Sequence, residues 1–515
     1  MDARILSVTS RTATIELVSD YCYFLPFECE IFANGKSYGK INRNVFTIHN
    51  LEPDQEYILL LKKDEEKLAD LTFRTEPESF VVDVRDFGAK GDGKTLDTFA
   101  VQAAIMSCPE GGTVVFPPGT YLLTPVFLKS NLTIEIQKDA VLLGVSERTL
   151  YPILPGLLSS KLGEIYLSSW EGEPAESFAS LVTGIGVENV RIIGQGVIDA
   201  NANFDDWWFN PKVKRIAWRP RSIFLNRCKN ILIEGITIRN SPSWTVHPLF
   251  CKDLKLLTLN IVNPKNSPNT DGINPESCSN VLIAGCRISV GDDCVAVKAG
   301  KYEVKQKFDV PSENIEIRNC LMEHGHGAVV IGSEMSCGVR NVKVSNCLFV
   351  NTDRGLRIKT RRERGGYVDE IELKNVQMNG VFVPLAINCF YNCGADYDPL
   401  YSSDKVVADV NERTPTIGSI VMKNVLCEDV KSMAAFVYGL PEKKIEKIYM
   451  ENVRIEISKE CEVFNPEMFD GVQPVCRQGL LFKNVDKLVL KNVVVENQVG
   501  EKIMTINVDK LVEEG

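Results

Sequence analysis

Histidine and tryptophan are scarce in this chain, with four and five among 515 residues, so imidazole chemistry is confined to a few positions. No apolar run reads as a transmembrane span, and the opening Met1-Asp2-Ala3-Arg4-Ile5 lacks the apolar core of a signal peptide. An excess of positive charge is missing as well. The net charge of -10 repels phosphate and argues against a nucleic acid or an anionic membrane as partner. The sixteen cysteines follow neither zinc-ligand spacing nor a dense disulfide framework. Many end apolar runs, as in Asn319-Cys320 and Asn346-Cys347, where a small thiol packs in a tight coil. They are expected to be reduced and structural, which points to the cytoplasm. A leader removed upstream would leave the same start on a secreted protein.

Glycine-rich nucleotide fingerprints are also lacking. The segment Val84-Arg85-Asp86-Phe87-Gly88-Ala89-Lys90-Gly91-Asp92-Gly93 precedes a helical stretch near Thr98 to Met106, but its spacing fits neither a dinucleotide loop nor a P-loop. We expect an N-terminal cap here and no cofactor.

What is present begins with short strands in residues 1–76: Thr12 to Leu17, Cys29 to Phe32, Val45 to Ile48 and Tyr57 to Leu61, with Asn34-Gly35 as a hairpin turn. The stretch Leu51-Glu52-Pro53-Asp54-Gln55-Glu56-Tyr57 resembles the loop-and-tyrosine feature of fibronectin type III domains. A small β-sandwich is therefore expected, with Thr75 to Ser79 as the seam. No reactive cluster precedes the seam, so this module is expected to position, dimerise or bind glycan, and a homo-oligomer stays open.

Beyond the seam one unit recurs: Asn189-Val190-Arg191-Ile192-Ile193, Asn230-Ile231-Leu232-Ile233, Asn280-Val281-Leu282-Ile283, Asn314-Ile315-Glu316-Ile317 and Asn341-Val342-Lys343-Val344. Counting Asp253-Leu254-Lys255-Leu256, the starts from 230 to 341 are separated by 23, 27, 34 and 27 residues. No helix-length pattern lies between them, so βαβ units are excluded, whereas a coil of stacked strands with Asn and Gly at its corners is not. Residues 80–515 are expected to form a right-handed parallel β-helix, making the protein all-β.

Four polar clusters interrupt the repeat: Asn269-Thr270-Asp271, Gly291-Asp292-Asp293, Gly325-His326-Gly327 and Arg357-Ile358-Lys359. Asp271, Asp292, His326 and Arg357 are separated by 21, 34 and 31 residues, each near one coil, so they can stack on one face. A glycosidic bond needs an acid for the leaving oxygen and a base or nucleophile across the ring, and three carboxylates on adjacent turns supply candidates for both. His324 and His326 are two apart and on an extended strand would share a face. The carboxylates form no compact ligand motif, so no metal is expected. Arg357 and Lys359 offer positive charge to an anionic sugar.

In this order the four clusters resemble glycoside hydrolase family 28, the polygalacturonases, over about residues 80 to 500. The resemblance implies Asp292 as general acid, Asp271 with Asp293 as the pair activating water, and His326 as a hydrogen-bonding member of the catalytic cluster. It also implies Arg357, Lys359, Asn269 and Gly325 at the substrate, and inversion at the anomeric carbon. Inversion sets an expected separation of roughly 6.5 to 9.5 Å between opposed carboxyl groups. The run Gly325 to Glu334 and the fibronectin-like module look like bacterial exo-acting members, which release galacturonic acid from chain ends of pectic polygalacturonate or its oligomers. Exo action needs a blocked groove, for which Tyr151 to Phe178, Trp207-Trp208 and Arg219-Pro220-Arg221 are candidate walls. The two tryptophans can equally cap the core. The alternatives are an endo-polygalacturonase, a rhamnogalacturonan hydrolase, a pectate lyase with a calcium site, and a noncatalytic pectin-binding protein.

Overall fold

The computed structural model describes residues 1–394 and 398–514. In the N-terminal part, Asp2–Val8, Ala13–Val18 and Val45–Ile48 form a three-stranded antiparallel sheet, and Lys36–Arg43, Phe24–Ala33, Glu56–Lys63 and Glu66–Arg74 a four-stranded one. Ile15, Leu17, Ile31, Phe46, Leu59 and Leu61 alternate inward and close a common core between the sheets. Asn34 and Gly35 take φ of 50° and 78°, the left-handed pair a tight hairpin requires. Tyr57 is buried beside Phe73, and its hydroxyl accepts the Glu52 N–H at 2.9 Å.

From Val81 onward the chain coils. One turn runs through Gly112–Phe116, Gly119–Leu123 and Val126–Phe127, and each strand pairs in parallel with its counterpart one coil on. The three stacks are called here the first, second and third sheets. In the first sheet Val190, Ile231, Leu254, Val281, Ile315, Val342 and Ile371 stand one above another, all facing inward. Repeated β-branched and leucine side chains at this level make a continuous core from coils that could not bury an apolar face alone.

The asparagine opening each repeat is its corner. Asn189, Asn230, Asn280, Asn314 and Asn341 all have φ between 52° and 56°, a left-handed turn that asparagine tolerates better than other side-chain-bearing residues. Their amides also bond along the stack, Asn230 to Asn189 and Asn341 to Asn314 at 2.7 Å each. The helix Thr98–Ser107 covers the open end, burying Val101, Ala104 and Ile105 in the coil's core. The glycine-rich loop before it has its own occupant: the Asp97 carboxylate accepts the Lys90 and Gly91 N–H groups.

Of the cysteines, fourteen are free thiols and thirteen of those are buried. Cys461 and Cys476 differ from the expected reduced state, forming a disulfide 15 residues apart in sequence.

The N-terminal sheets lie against the outer face of the first sheet. Leu6 and Val45 pack with Ile193, Leu232, Leu257 and Ala284. Glu16 accepts from Arg318 Nε at 3.0 Å and from the Asn319 amide at 2.7 Å. Arg318 and Glu16 are both buried, and without Glu16 the guanidinium is left with the half-exposed Glu316 while the Asn319 amide loses its acceptor. A Glu16→Ala variant is expected to lose about 1 to 3 kcal/mol, read as an earlier denaturant midpoint. An unmoved midpoint would mean that this tie contributes nothing.

Candidate active site

Three of the four polar clusters occupy the turns that lead from the second sheet into the third, and Arg357 and Lys359 lie on the third-sheet strand Arg354–Lys359 itself. Asp271 precedes Ile273, Asp292 and Asp293 precede Val295, and His326 precedes Val329, and these three apolar residues are in register. The turns are tied to one another through the backbone: Gly272 N–H donates to the Asp293 carbonyl, Cys294 N–H to the Gly327 carbonyl, and His326 N–H to the Asp292 carbonyl. Distant sequence positions thus become neighbours one strand spacing apart, about 4.8 Å.

The side chains converge accordingly. Asp271, Asp292 and Asp293 each bring an oxygen within 4.8 Å of the others. Asp292 Oδ1 lies 3.3 Å from His326 Nδ1, Asp293 Oδ2 accepts from Lys359 Nζ at 2.8 Å, and Asp271 Oδ2 accepts from the Asn274 amide at 2.8 Å. Burial, then repulsion from Asp292, pushes Asp271 well above the usual carboxylate range. Burial opposes ionisation of Asp292 too, but the hydrogen bond and charge of His326, with Lys359 and Lys298 behind, hold it below that range. His326 is raised to about 9 chiefly by its bond to Asp292. The cluster therefore separates its carboxyls: Asp271 keeps a proton while Asp292 is ionised against an imidazolium.

Several expected details differ. Arg357 does not present a free fork: its Nε and Nη2 donate to Glu467 at 2.6 and 2.9 Å, and it is only 3% exposed. A buried carboxylate opposite a guanidinium takes the bidentate geometry first. Only Nη1 faces the site, 3.8 Å from Asp293 Oδ1. Gly325 has a backbone role. Its φ is +74°, and a Cβ there would fall 2.5 Å from the Asp292 carbonyl oxygen and 3.0 Å from the Cys294 sulfur, so it lets the His326 turn press against the carboxylate turn. Asn269 lines the cleft with its carbonyl oxygen engaged by Arg219 at 2.6 Å. His324 has φ of +60°, so the extended geometry that would align it with His326 ends there. Trp207 and Trp208 pack with Val145, Tyr151 and Phe178 in a local core, which resolves their role as capping.

Lys298, Glu334, Trp244, Tyr391 and Glu467 were not anticipated. Lys298 donates to Glu334 at 2.9 Å and sits 4.7 Å over the Trp244 ring. Tyr391 lies beneath Lys359 at 5.4 Å. Lys298 had a signal: in Val295-Ala296-Val297-Lys298 the valines face the core, and a lysine ending so apolar a strand needs a buried acid. Glu467 arrives from a segment 110 residues beyond Arg357, which no local pattern could indicate.

A cleft floored by three carboxylates, with lysines beside them, on a parallel β-helix defines a carbohydrate-cleaving class of enzyme. Residues 165–470 match the family described as glycosyl hydrolases family 28, and residues 81–145 one described as rhamnogalacturonase A/epimerase, pectate lyase-like. The first match spans more than half of the chain, which belongs to glycosyl hydrolase family 28 and is a glycoside hydrolase. A Vitis vinifera protein named "Probable polygalacturonase" is 34% identical over 383 residues, covering 72% of this chain and 74% of that one. An exopolygalacturonase from Thermotoga maritima is 28% identical, with a TM-score of 0.65 over 81% of this chain and 91% of that one. The family 28 exopolygalacturonase of Yersinia enterocolitica shares the fold over 99% of this chain and 98% of its own, with a TM-score of 0.76 at 21% identity. Relatives named as exo-acting and as endo-acting enzymes both occur.

Glu334 is held below the usual carboxylate range: burial opposes ionisation, and Lys298 then Arg364 overcome it. Its folded value lies below the unfolded one near 4.3, so its stabilisation is present above that pH and lost as pH falls toward the folded value. Glu334→Gln is expected to cost about 3 to 5 kcal/mol at pH 7. Denaturant melts across pH should show the gap from the parent shrinking below about pH 4.3; a gap that stays constant would refute the linkage.

Proposed function

We propose that this enzyme hydrolyses α-1,4-galacturonosidic bonds at chain ends of polygalacturonate or its oligomers, releasing galacturonic acid with inversion. The observation that carries the reading is the convergence of Asp271, Asp292 and Asp293 with Lys298 and Lys359 in one cleft. It puts cations for a uronate beside carboxyls for the bond, and relatives named polygalacturonases agree with that substrate.

End-on action is supported by the insertion between Tyr151 and Phe178. Trp170 and Glu171 line the cleft, the Gly172 carbonyl accepts the Lys301 N–H at 3.2 Å, and Glu173 pairs with Lys301 at 3.2 Å. The insertion thereby abuts the cleft on its Glu334 side, beside a cavity of about 140 Å³. Trp170 stacks on Trp218 with centroids 4.6 Å apart, and Arg219 and Arg221 lie over its ring. Such a backing holds the wall rigid.

In the mechanism Asp292 protonates the bridging oxygen while Asp271 and Asp293 hold water on the other face. Free Asp292 is ionised in part because Lys359 and Lys298 face it. A uronate that engages those lysines removes that bias, so the proton on His326 Nδ1 passes to Asp292 and from there to the leaving oxygen. Protonated Asp271 orients the water and Asp293 accepts its proton. Lys359 and His326 already offset Asp293 and Asp292, and Asp271 is protonated, so a divalent metal would meet little net negative charge here.

A galacturonate hexamer, assayed without added metal and with ultraviolet detection of unsaturation, is expected to give monomer and pentamer at once. Internal trimers would make the enzyme endo-acting, and an unsaturated product would replace hydrolysis by elimination. Asp292→Asn should lower kcat by about 10² to 10⁴ without lowering the melting temperature.

His326 is protonated below about 9. As the proton reservoir it should give kcat/KM an alkaline limb that falls as pH rises through about 9. His326→Gln should remove that limb together with about a hundredfold of activity. A limb retained in the variant would exclude His326 as its source.

A further inference from the structure

Between the strands Ile445–Ile457 and Gln478–Glu496 the chain leaves the coil and lies as a strap across the third sheet. The Cys461–Cys476 disulfide closes it, and Phe464 and Val475 exchange both backbone hydrogen bonds just inside that bridge. Arg354 fastens the far end, donating to the Asn465 and Pro466 carbonyls at 3.0 Å each. The strap delivers one fully covered carboxylate, Glu467, which is 1% exposed.

A carboxylate so placed is tolerable only with a paired cation, and Arg357 supplies two parallel bonds to it. The consequence reaches the reaction centre. With Nε and Nη2 fixed by Glu467, the guanidinium cannot turn its fork onto Asp293, and offers only Nη1 at 3.8 Å to Asp293 Oδ1. That oxygen has no hydrogen-bond partner among the described residues, while its twin is held by Lys359. Released from Glu467, Arg357 would be free to pair bidentately with Asp293 and occupy the oxygen left open for water.

We propose that Glu467 is a positioning residue that keeps Asp293 available by restraining Arg357, and that the Cys461–Cys476 disulfide holds the strap in place, making turnover sensitive to thiol reduction. A dithiol reductant supplies two electrons and two protons, opening the disulfide to two thiols while the reductant closes to its own disulfide. The inference rests on the galacturonan reading only for its activity assay.

The test uses the full-length protein, comparing the parent, Glu467→Gln, Glu467→Asp and the double variant Cys461→Ser/Cys476→Ser, each verified by thermal melt as folded at the assay temperature. On the hexamer, Glu467→Gln is expected to lose about 10- to 100-fold in kcat with little change in KM, short of the ~10² to 10⁴ that loss of a general base costs. Glu467→Asp should recover part of it. Dithiol treatment of the parent should lower kcat reversibly, and the serine pair should match the reduced parent and ignore dithiol. Unchanged kcat in Glu467→Gln, or an equal loss in Glu467→Asp, overturns the positioning role. Full kcat in both the reduced parent and the serine pair overturns the role of the disulfide. If the parent leaves the hexamer intact, the galacturonan reading fails, and the restraint is then judged by the NMR titration of His326. Arg357 swung onto Asp293 would offset a carboxylate that raises His326 and should lower the His326 midpoint below its parent value near 9; an unmoved midpoint overturns the restraint.

Discussion

Parallel pairing of each coil with the next is the interaction on which the remaining structure depends. It fixes the register of every strand, and a slip of one residue would exchange core and solvent faces throughout. Because the register holds from Val190 through Ile371, the turns entering the third sheet are stacked at strand spacing, and whatever they carry is brought together. Asp271, Asp292 and His326 need no long-range device to find one another. They inherit their proximity from apolar residues two or three positions downstream.

That proximity carries an electrostatic cost, and the surroundings are organised to offset it. Three carboxyls in one desolvated cleft cannot all remain ionised without cations. Asp293 has Lys359, Asp292 has His326, and Asp271, whose hydrogen bond is to a neutral amide, is the one that burial and repulsion leave protonated. Two further cations beside the cluster are held by acids outside the reacting set, Lys298 by Glu334 and Arg357 by Glu467. A second ring of carboxylates thus fixes the positive charge that surrounds the first, which helps so acidic a cleft to fold.

The sequence discloses the two rings unequally. Asp271, Asp292, Asp293 and His326 were legible because each interrupts an apolar repeat at about one coil's spacing, and periodicity converts that spacing into contact. The coil itself was legible for the same reason, from asparagines whose left-handed backbone is the corner. Glu467 was not, because it approaches from an insertion with no repeat of its own, and Lys298 was visible only as a charge ending an apolar strand. The free fork expected of Arg357 failed on the same missing partner. Strands Asp2–Val8, Lys36–Arg43 and Glu66–Arg74 also escaped the reading, since these sheet edges interleave charged and polar residues and have a weak apolar alternation.

The docking place of the N-terminal sheets is written in the repeats as well. Where the first sheet faces solvent, its strands alternate: Ile315-Glu316-Ile317, Val342-Lys343-Val344, Ile371-Glu372-Leu373. Where the module lies, the alternation fails, as in Ile231-Leu232-Ile233 and Val281-Leu282-Ile283, and Leu232, Leu257 and Ala284 meet Leu6 and Val45 outside the coil. A strand apolar on both faces must be covered on both. The charges admitted to that face include Glu234, Lys255 and Arg318, and the module answers each, with the Thr14 hydroxyl at 2.6 Å for the first, the Leu6 carbonyl at 2.7 Å for the second and Glu16 for the third. The module therefore belongs to the first sheet, and the cleft to the third. Any influence it has on the reaction must pass through the register of the coil between them.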